Sequence, residues 1–104
     1  MRTLEFIVNA QLLSRSPECD FNHIVSGTSD YLTAHFAFSP EWDGCVKCVS
    51  FWRGSKEHAV LLNNDTCSIP PEVLTVATFK VSVIGQRENY RITTNRVAIR
   101  QVVI

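Results

Sequence analysis

With 104 residues the chain has room for one domain, and a chain of this size buries roughly two-thirds of the surface its unfolded form exposes. Hydrophobic residues make up 45% and charged residues 19%, which suits a packed core and excludes a disordered tail. Ten Lys plus Arg balance ten Asp plus Glu, so no net field draws the chain to nucleic acid or to an acidic membrane.

Two-residue alternation dominates the sequence, and no segment of helical length sustains a 3.6-residue period. Leu4, Phe6 and Val8 alternate with Thr3, Glu5 and Ile7 in a first strand. Ser14 to Glu18 reads as a loop, because Pro17 restricts its own backbone and that of the residue before it. After Gly27 to Asp30, Leu32, Ala34, Phe36 and Phe38 form one face of a half-buried strand, with Tyr31, Thr33 and His35 on the other. A loop ending in Asp43 and Gly44 leads to a strand from Cys45 to Trp52, and Arg53 to Lys56 turns the chain. His58 to Leu62 continues, Asn63 to Asp65 turns, and Thr66 to Ile69 is a short strand stopped by Pro70 and Pro71. A single helical turn is expected at Pro71 to Leu74, with proline at its start.

Phe79, Val81 and Val83 point inward while Thr78, Lys80 and Ser82 point out. Gly85 to Asn89 reads as a turn, and a last strand carries Val97 and Ile99 on one face and Arg96, Ala98 and Arg100 on the other. The residues Arg87, Arg91, Arg96 and Arg100 are read as a solvated strand face. The expected fold is therefore all-β: an antiparallel sandwich of about seven to eight strands over residues 1–104 as a single domain.

No apolar run approaches the ~18 residues that a membrane span requires, and Met1 to Glu5 lacks the apolar core of a signal peptide. Folding in a cytoplasm is expected, with Cys19, Cys45, Cys48 and Cys67 as reduced thiols. The stretch Asn64-Asp65-Thr66 is read as a turn rather than a glycosylation site.

Chemistry-bearing groupings are weak. Cys45 and Cys48 with Cys67, His35 and His58 have the residue types of a zinc site, but strand positions three apart project to opposite faces. Buried cysteine as a small hydrophobe is the simpler reading. No helix start or strained elbow is visible to activate a thiol beside a histidine. Glu41 and Asp43 flank Trp42 in a loop that ends in glycine, so the acids are expected to shape the backbone while the indole covers the end of the core. The four glycines are not clustered into a phosphate-binding loop. No catalytic residue, metal ligand or cofactor is assigned.

Three stretches carry a resemblance. An aromatic strand end at Phe36 to Phe38 is followed by Glu41-Trp42-Asp43-Gly44 and a strand closing at Phe51 before Gly54. Ile69-Pro70 leads to Glu72-Val73-Leu74, then to Phe79 through Gly85, and finally to Arg91-Ile92-Thr93-Thr94-Asn95. In this order and spacing, from about Val25 to Val103, the chain resembles a module of tail, baseplate and fibre proteins of phages of Gram-positive bacteria, similar to the N-terminal part of baseplate upper proteins. The resemblance implies an immunoglobulin-like sandwich that serves a virion as a non-enzymatic structural or assembly part: baseplate, tail fibre, head fibre or decoration subunit. The implied partners are other virion proteins or copies of the chain itself, with host surface carbohydrate or a host protein as further possibilities. An inhibitor that binds a host defence protein inside the infected cell is the alternative. The family pattern carries no catalytic residue.

Alternation also suggests where contacts form. With Cys45, Val49 and Phe51 inward, the opposite face presents Val46, Cys48, Ser50 and Trp52, an apolar row with a tryptophan anchor for a partner. Glu41, Trp42, Asp43, Gly44, Arg91, Thr94 and Asn95 are expected to be structural. Within that set, Asn95 is expected to serve the last hairpin and Arg91 to pair with Glu88 or Glu72. Trp42, Trp52 and Tyr90 are eligible rings for a sugar. The apolar end Gln101 to Ile104 either closes the chain's own sheet or offers an edge to a neighbour.

Overall fold

Period-two burial is visible strand by strand. Leu4, Phe6 and Val8 are buried along one face of the first strand, and Phe79, Val81 and Val83 along another. A computed structural model describes residues 1–104. The strands are β1 (Arg2–Asn9), β2 (Leu12–Arg15), β3 (Leu32–Phe38), β4 (Val46–Arg53), β5 (Lys56–Leu61), β6 (Thr66–Ser68), β7 (Thr78–Arg87), β8 (Tyr90–Thr93) and β9 (Val97–Arg100). Two 3-10 turns, Pro40–Trp42 and Pro71–Val73, are the only helical pieces, and the second falls where proline at a turn start placed it.

One sheet has the order β2-β1-β3-β6, and the other runs β5-β4-β7 and continues with β8 and β9 on successive stretches of the far edge of β7. The two close a sandwich. From one side come Leu4, Phe6, Val8, Leu13, Ala34 and Phe36, and from the other Val49, Phe51, Phe79, Val81, Val83 and Ile99. Phe6 stacks on Phe36 at 5.0 Å, and Phe51 meets Phe79 at 6.4 Å.

Four details depart from the sequence reading. Nine strands form rather than seven or eight, partly because Ser14 and Arg15 belong to β2 instead of a loop. The β1–β2 hairpin turns through Ala10 at φ 53°, a left-handed alanine that gives no glycine signal. One pairing is parallel: β1 lies beside β3 from Arg2↔Leu32 to Val8↔Phe38. Parallel neighbours need a long crossover, and here it occupies residues 16–31, with the Arg2 guanidinium donating to the carbonyls of Asp20, Asn22 and His23 at 3.0, 2.6 and 3.2 Å.

The third departure is Gly85, which lies inside β7 opposite Lys47 and Ile92, so the chain reverses only at Glu88 and Asn89. The last strand is in turn divided into β8 and β9 by residues 94–96. Thr94 bridges this gap: its backbone N–H donates to Val83 O at 3.1 Å, and its hydroxyl accepts from Val83 N at 2.9 Å.

The fourth is Asn95, which serves β2 rather than the last hairpin. Its Oδ1 accepts from Leu13 N at 2.7 Å and its Nδ2 donates to Leu13 O at 3.1 Å, so the amide takes the place of a neighbouring strand. Asn95→Ala is expected to lower stability by roughly 1–3 kcal/mol, because both peptide groups of Leu13 lose a partner. Asn95→Asp keeps the acceptor and is expected to lose less. Urea melts of the three proteins check this order, and equal stabilities would show that water replaces the amide without cost. At the C-terminus, Val102 N–H donates to Ile24 O at 2.7 Å and Ser26 N–H to Val102 O at 2.8 Å, so the apolar end closes on its own chain.

Candidate interaction surface

The two outer faces of the sandwich differ in chemistry. On the four-stranded sheet, side chains pair across β1 and β3: the Thr3 and Thr33 hydroxyls lie 2.9 Å apart, and Glu5 meets His35 at 2.6 Å. These polar pairs satisfy one another across the sheet, while the other end of the face carries the exposed side chains of Ile7 and Leu12. On the five-stranded sheet, strand register brings Val46, Cys48, Ser50 and Trp52 of β4 beside Leu61, Ala59 and Glu57 of β5 and beside Ile84, Ser82 and Lys80 of β7. Val46 and Leu61 are each 66% exposed, and they mark the open, apolar end of this face.

Alternation placed the four β4 residues on one face, and they share it, but their exposure is uneven. Ser50 is buried, and its hydroxyl donates to the Glu57 carboxylate. Trp52 is half-buried: its indole N–H donates to Ser82 Oγ at 3.0 Å, and the Arg96 guanidinium lies 3.6 Å over the ring. The cause is position in the sheet. β4 is flanked on both sides, so Glu57 of β5 covers Ser50 and Ser82 of β7 takes the indole N–H, while Arg96 reaches over the ring from the link between β8 and β9. Cys48 is half-buried and Val46 open, so the accessible apolar area is Val46, Leu61, Ala59 and the parts of Cys48 and Ile84 between them. Arg96, Glu57 and Leu61 belong to this face without having been assigned to it from the sequence, because only the β4–β5 register and the approach of the 94–96 link to Trp52 bring them there.

The motif residues form a second cluster at one end of the sandwich. Trp42 is fully buried, its indole N–H donates to Ala10 O at 2.8 Å, and Phe38 lies against it at 5.0 Å. A Cβ on Gly85 would come within 2.6 Å of Trp42 Cε3, so the absence of a side chain in β7 makes the indole's seat. The β7–β8 hairpin holds the loop from outside. Arg87 donates to Asp43 O at 2.7 Å, and the Tyr90 hydroxyl donates to Glu41 O. Gly44 completes the loop at φ 77°, the left-handed region that favours glycine. The Glu41 carboxyl sits below the ordinary carboxylate range, held first by its own backbone N–H and then by the Ser39 hydroxyl. Glu41, Asp43 and Gly44 thus shape the backbone around a buried indole.

Arg91 is exposed opposite Gln86 and pairs with neither Glu88 nor Glu72; the salt bridges are Glu5–His35 and Lys47–Asp65, the latter at 3.0 Å. Of the three rings eligible for a sugar, Trp42 is inside, Trp52 lies under Arg96, and Tyr90 lies under Arg87 at 4.4 Å. Cys45 lies just before β4, Cys48 within β4 and Cys67 in β6 of the other sheet, and no three potential metal ligands converge. Burial pushes the Cys67 thiol up to about 12, with Cys48 adding to the shift, which leaves Cys67 a neutral core side chain.

No family model matches this chain, and no curated protein matches it. Among solved structures, it is similar to the N-terminal domain of phage TP901-1 ORF48, with a TM-score of 0.50 over 99% of this chain and 98% of that one, at 10% sequence identity. The likeness is one of fold: the same sandwich, from end to end.

Proposed function

We propose that this chain is a non-enzymatic structural or assembly module of a phage virion, acting through protein contacts at its surface. The observation that carries the reading is the end-to-end correspondence with a domain of a phage protein, in which almost nothing of either chain is left over. A second feature supports it. Two of the stretches through which the sequence resembles phage tail, baseplate and fibre modules meet in space, with the Trp42 loop seated on Gly85 of β7 and gripped from the β7–β8 hairpin by Arg87 and Tyr90.

On this reading the chain is made in the bacterial host's cytoplasm and ends in the particle as part of a baseplate, a fibre or the head surface. Its contacts use the open apolar end of the five-stranded sheet, where Val46 and Leu61 stand, toward other virion proteins or copies of itself. Large exposed apolar side chains grouped in this way are a usual mark of a protein contact, because covering them removes apolar area from water.

The deciding experiment is mass spectrometry of density-purified particles from the phage that encodes the chain. The expected result is its presence in fixed proportion to the other particle proteins, as symmetric assembly requires. Its absence from particles, together with a soluble complex with a host protein in the infected-cell lysate, would overturn the virion reading in favour of an intracellular inhibitor.

A further inference from the structure

The edges of the two sheets are treated unequally. The outward peptide groups of β2 at Leu13 are taken by Asn95. β6 is three residues long and runs into Pro70 one residue after Ile69. β8 and β9 are four-residue pieces separated by 94–96, and Thr93 O already accepts from Gln11 Nε2 at 3.2 Å. β5 is different. It has six residues, Lys56–Leu61, and it pairs only with β4.

The phase of its hydrogen bonds follows from one contact. Leu62 N–H donates to Lys47 O at 3.0 Å, so Lys47 and Leu62 are a bonded pair, and antiparallel bonding then recurs at every second residue. Val60, His58 and Lys56 therefore exchange bonds with Val49, Phe51 and Arg53. Glu57, Ala59 and Leu61 turn their N–H and C=O groups away from β4, and none of those groups has a partner among the turn, loop or side-chain bonds. Natural edges are usually guarded in the middle by a charge, a proline or a bulge. His58 to Leu61 contains no proline, Lys, Arg, Asp or Glu, and its register with β4 is unbroken.

We propose that β5 pairs antiparallel with β5 of a second copy of this chain about a two-fold axis at Ala59, joining two five-stranded sheets into one continuous sheet. The free groups are self-complementary in this register. Ala59 meets its own equivalent, Glu57 meets the partner's Leu61, and Leu61 meets the partner's Glu57. Each is a pair in which both residues present unbonded groups, and each matches outer face to outer face, as a continued sheet demands. A shift of two residues either way leaves part of the set unmatched. The side chain at the axis is a methyl group, which fits two equivalents whose Cα atoms stand about 5.5 Å apart. The same pairing covers Leu61 with the stem of the partner's Glu57, and it is isologous, so assembly stops at two copies. It does not depend on the virion reading, and either holds without the other.

The test is sedimentation velocity of the whole chain from low to high micromolar concentration, with hydrogen exchange on the same samples. The expected result is a concentration-dependent species of twice the 11.7 kDa chain mass. In that species the amides of Glu57, Ala59 and Leu61 gain protection on dimerisation, while those of His58 and Val60 are protected at every concentration. Ala59→Lys puts two like charges at the axis from an exposed position, and it is expected to remain monomeric with the melting curve of the parent at monomer concentrations. A chain monomeric at all concentrations overturns the proposal, as does a dimer that survives Ala59→Lys or protects a different segment. The exchange measurement needs no variant, so a misfolded Ala59→Lys does not shelter the proposal. Protection of β5 that arises only in assembled particles, with the isolated chain monomeric, also overturns it in favour of a strand from another protein.

Discussion

Trp42→Ala is expected to destabilise the protein by roughly 3–5 kcal/mol, the usual cost of removing a fully buried large aromatic side chain. The indole is entirely enclosed, packs against Phe38 and satisfies Ala10 O with its N–H, so its loss opens a cavity and strands a carbonyl. A domain of this size holds only about 5–15 kcal/mol in total. The variant is therefore expected to be folded but marginal at room temperature, with a melting temperature lower by more than about 12 °C. Trp42→Phe retains most of the apolar volume but not the donor, and its expected loss is smaller, about 1–3 kcal/mol. Urea unfolding followed by far-ultraviolet circular dichroism separates the two. An alanine variant within about 1 kcal/mol of the parent would mean that the 3-10 turn collapses into the vacated space and that the indole is dispensable.

Burial along individual strands was legible because period two reports it directly. The faces Leu4, Phe6, Val8 and Phe79, Val81, Val83 needed no knowledge of their neighbours, and the all-β sandwich follows from several such faces with no helical period. What depends on pairing was not legible. The parallel register of β1 on β3 is set by contacts about thirty residues apart, and β2 is introduced by a left-handed Ala10 that carries no turn signature. The outer row of β4 divides along the same line. That Val46, Cys48, Ser50 and Trp52 share a face is a property of one strand, whereas the burial of Ser50 and the shielding of Trp52 depend on Glu57 and Arg96 from other segments. Asn95 is expected to serve the last hairpin, but its amide bonds the peptide of Leu13 instead. An asparagine near a turn usually bonds its own neighbourhood, and nothing local indicates that the peptide of Leu13, in the opposite sheet, lies within reach.

Glycine is where a local reading fails most instructively, since the same residue marks a turn, a bulge or a close approach. Gly85 was read as the first and turns out to be the last. An alanine there would put its Cβ 2.6 Å from Trp42 Cε3, 2.7 Å from Cζ3 and 3.2 Å from Ile92 Cγ2. Neither the enclosed indole nor the strand backbone can yield without disturbing Phe38 or the Lys47 and Ile92 pairings. Gly85→Ala is therefore expected to cost about 1–3 kcal/mol or more through overpacking alone, against alanine's usual advantage over glycine in a strand.

The two substitutions at this contact are expected not to add. Once Trp42→Ala has emptied the seat, a methyl group on residue 85 occupies part of the cavity instead of colliding with the ring. The double variant is thus expected to be no less stable than Trp42→Ala alone, with a coupling of about 1–3 kcal/mol measured by the double-mutant cycle in urea. Additive losses would place the requirement for glycine in the β7 backbone rather than in the indole. Coupling would give the physical reason why this chain carries a glycine within β7 at the place where the Trp42 loop packs: the glycine is the socket into which the tryptophan fits.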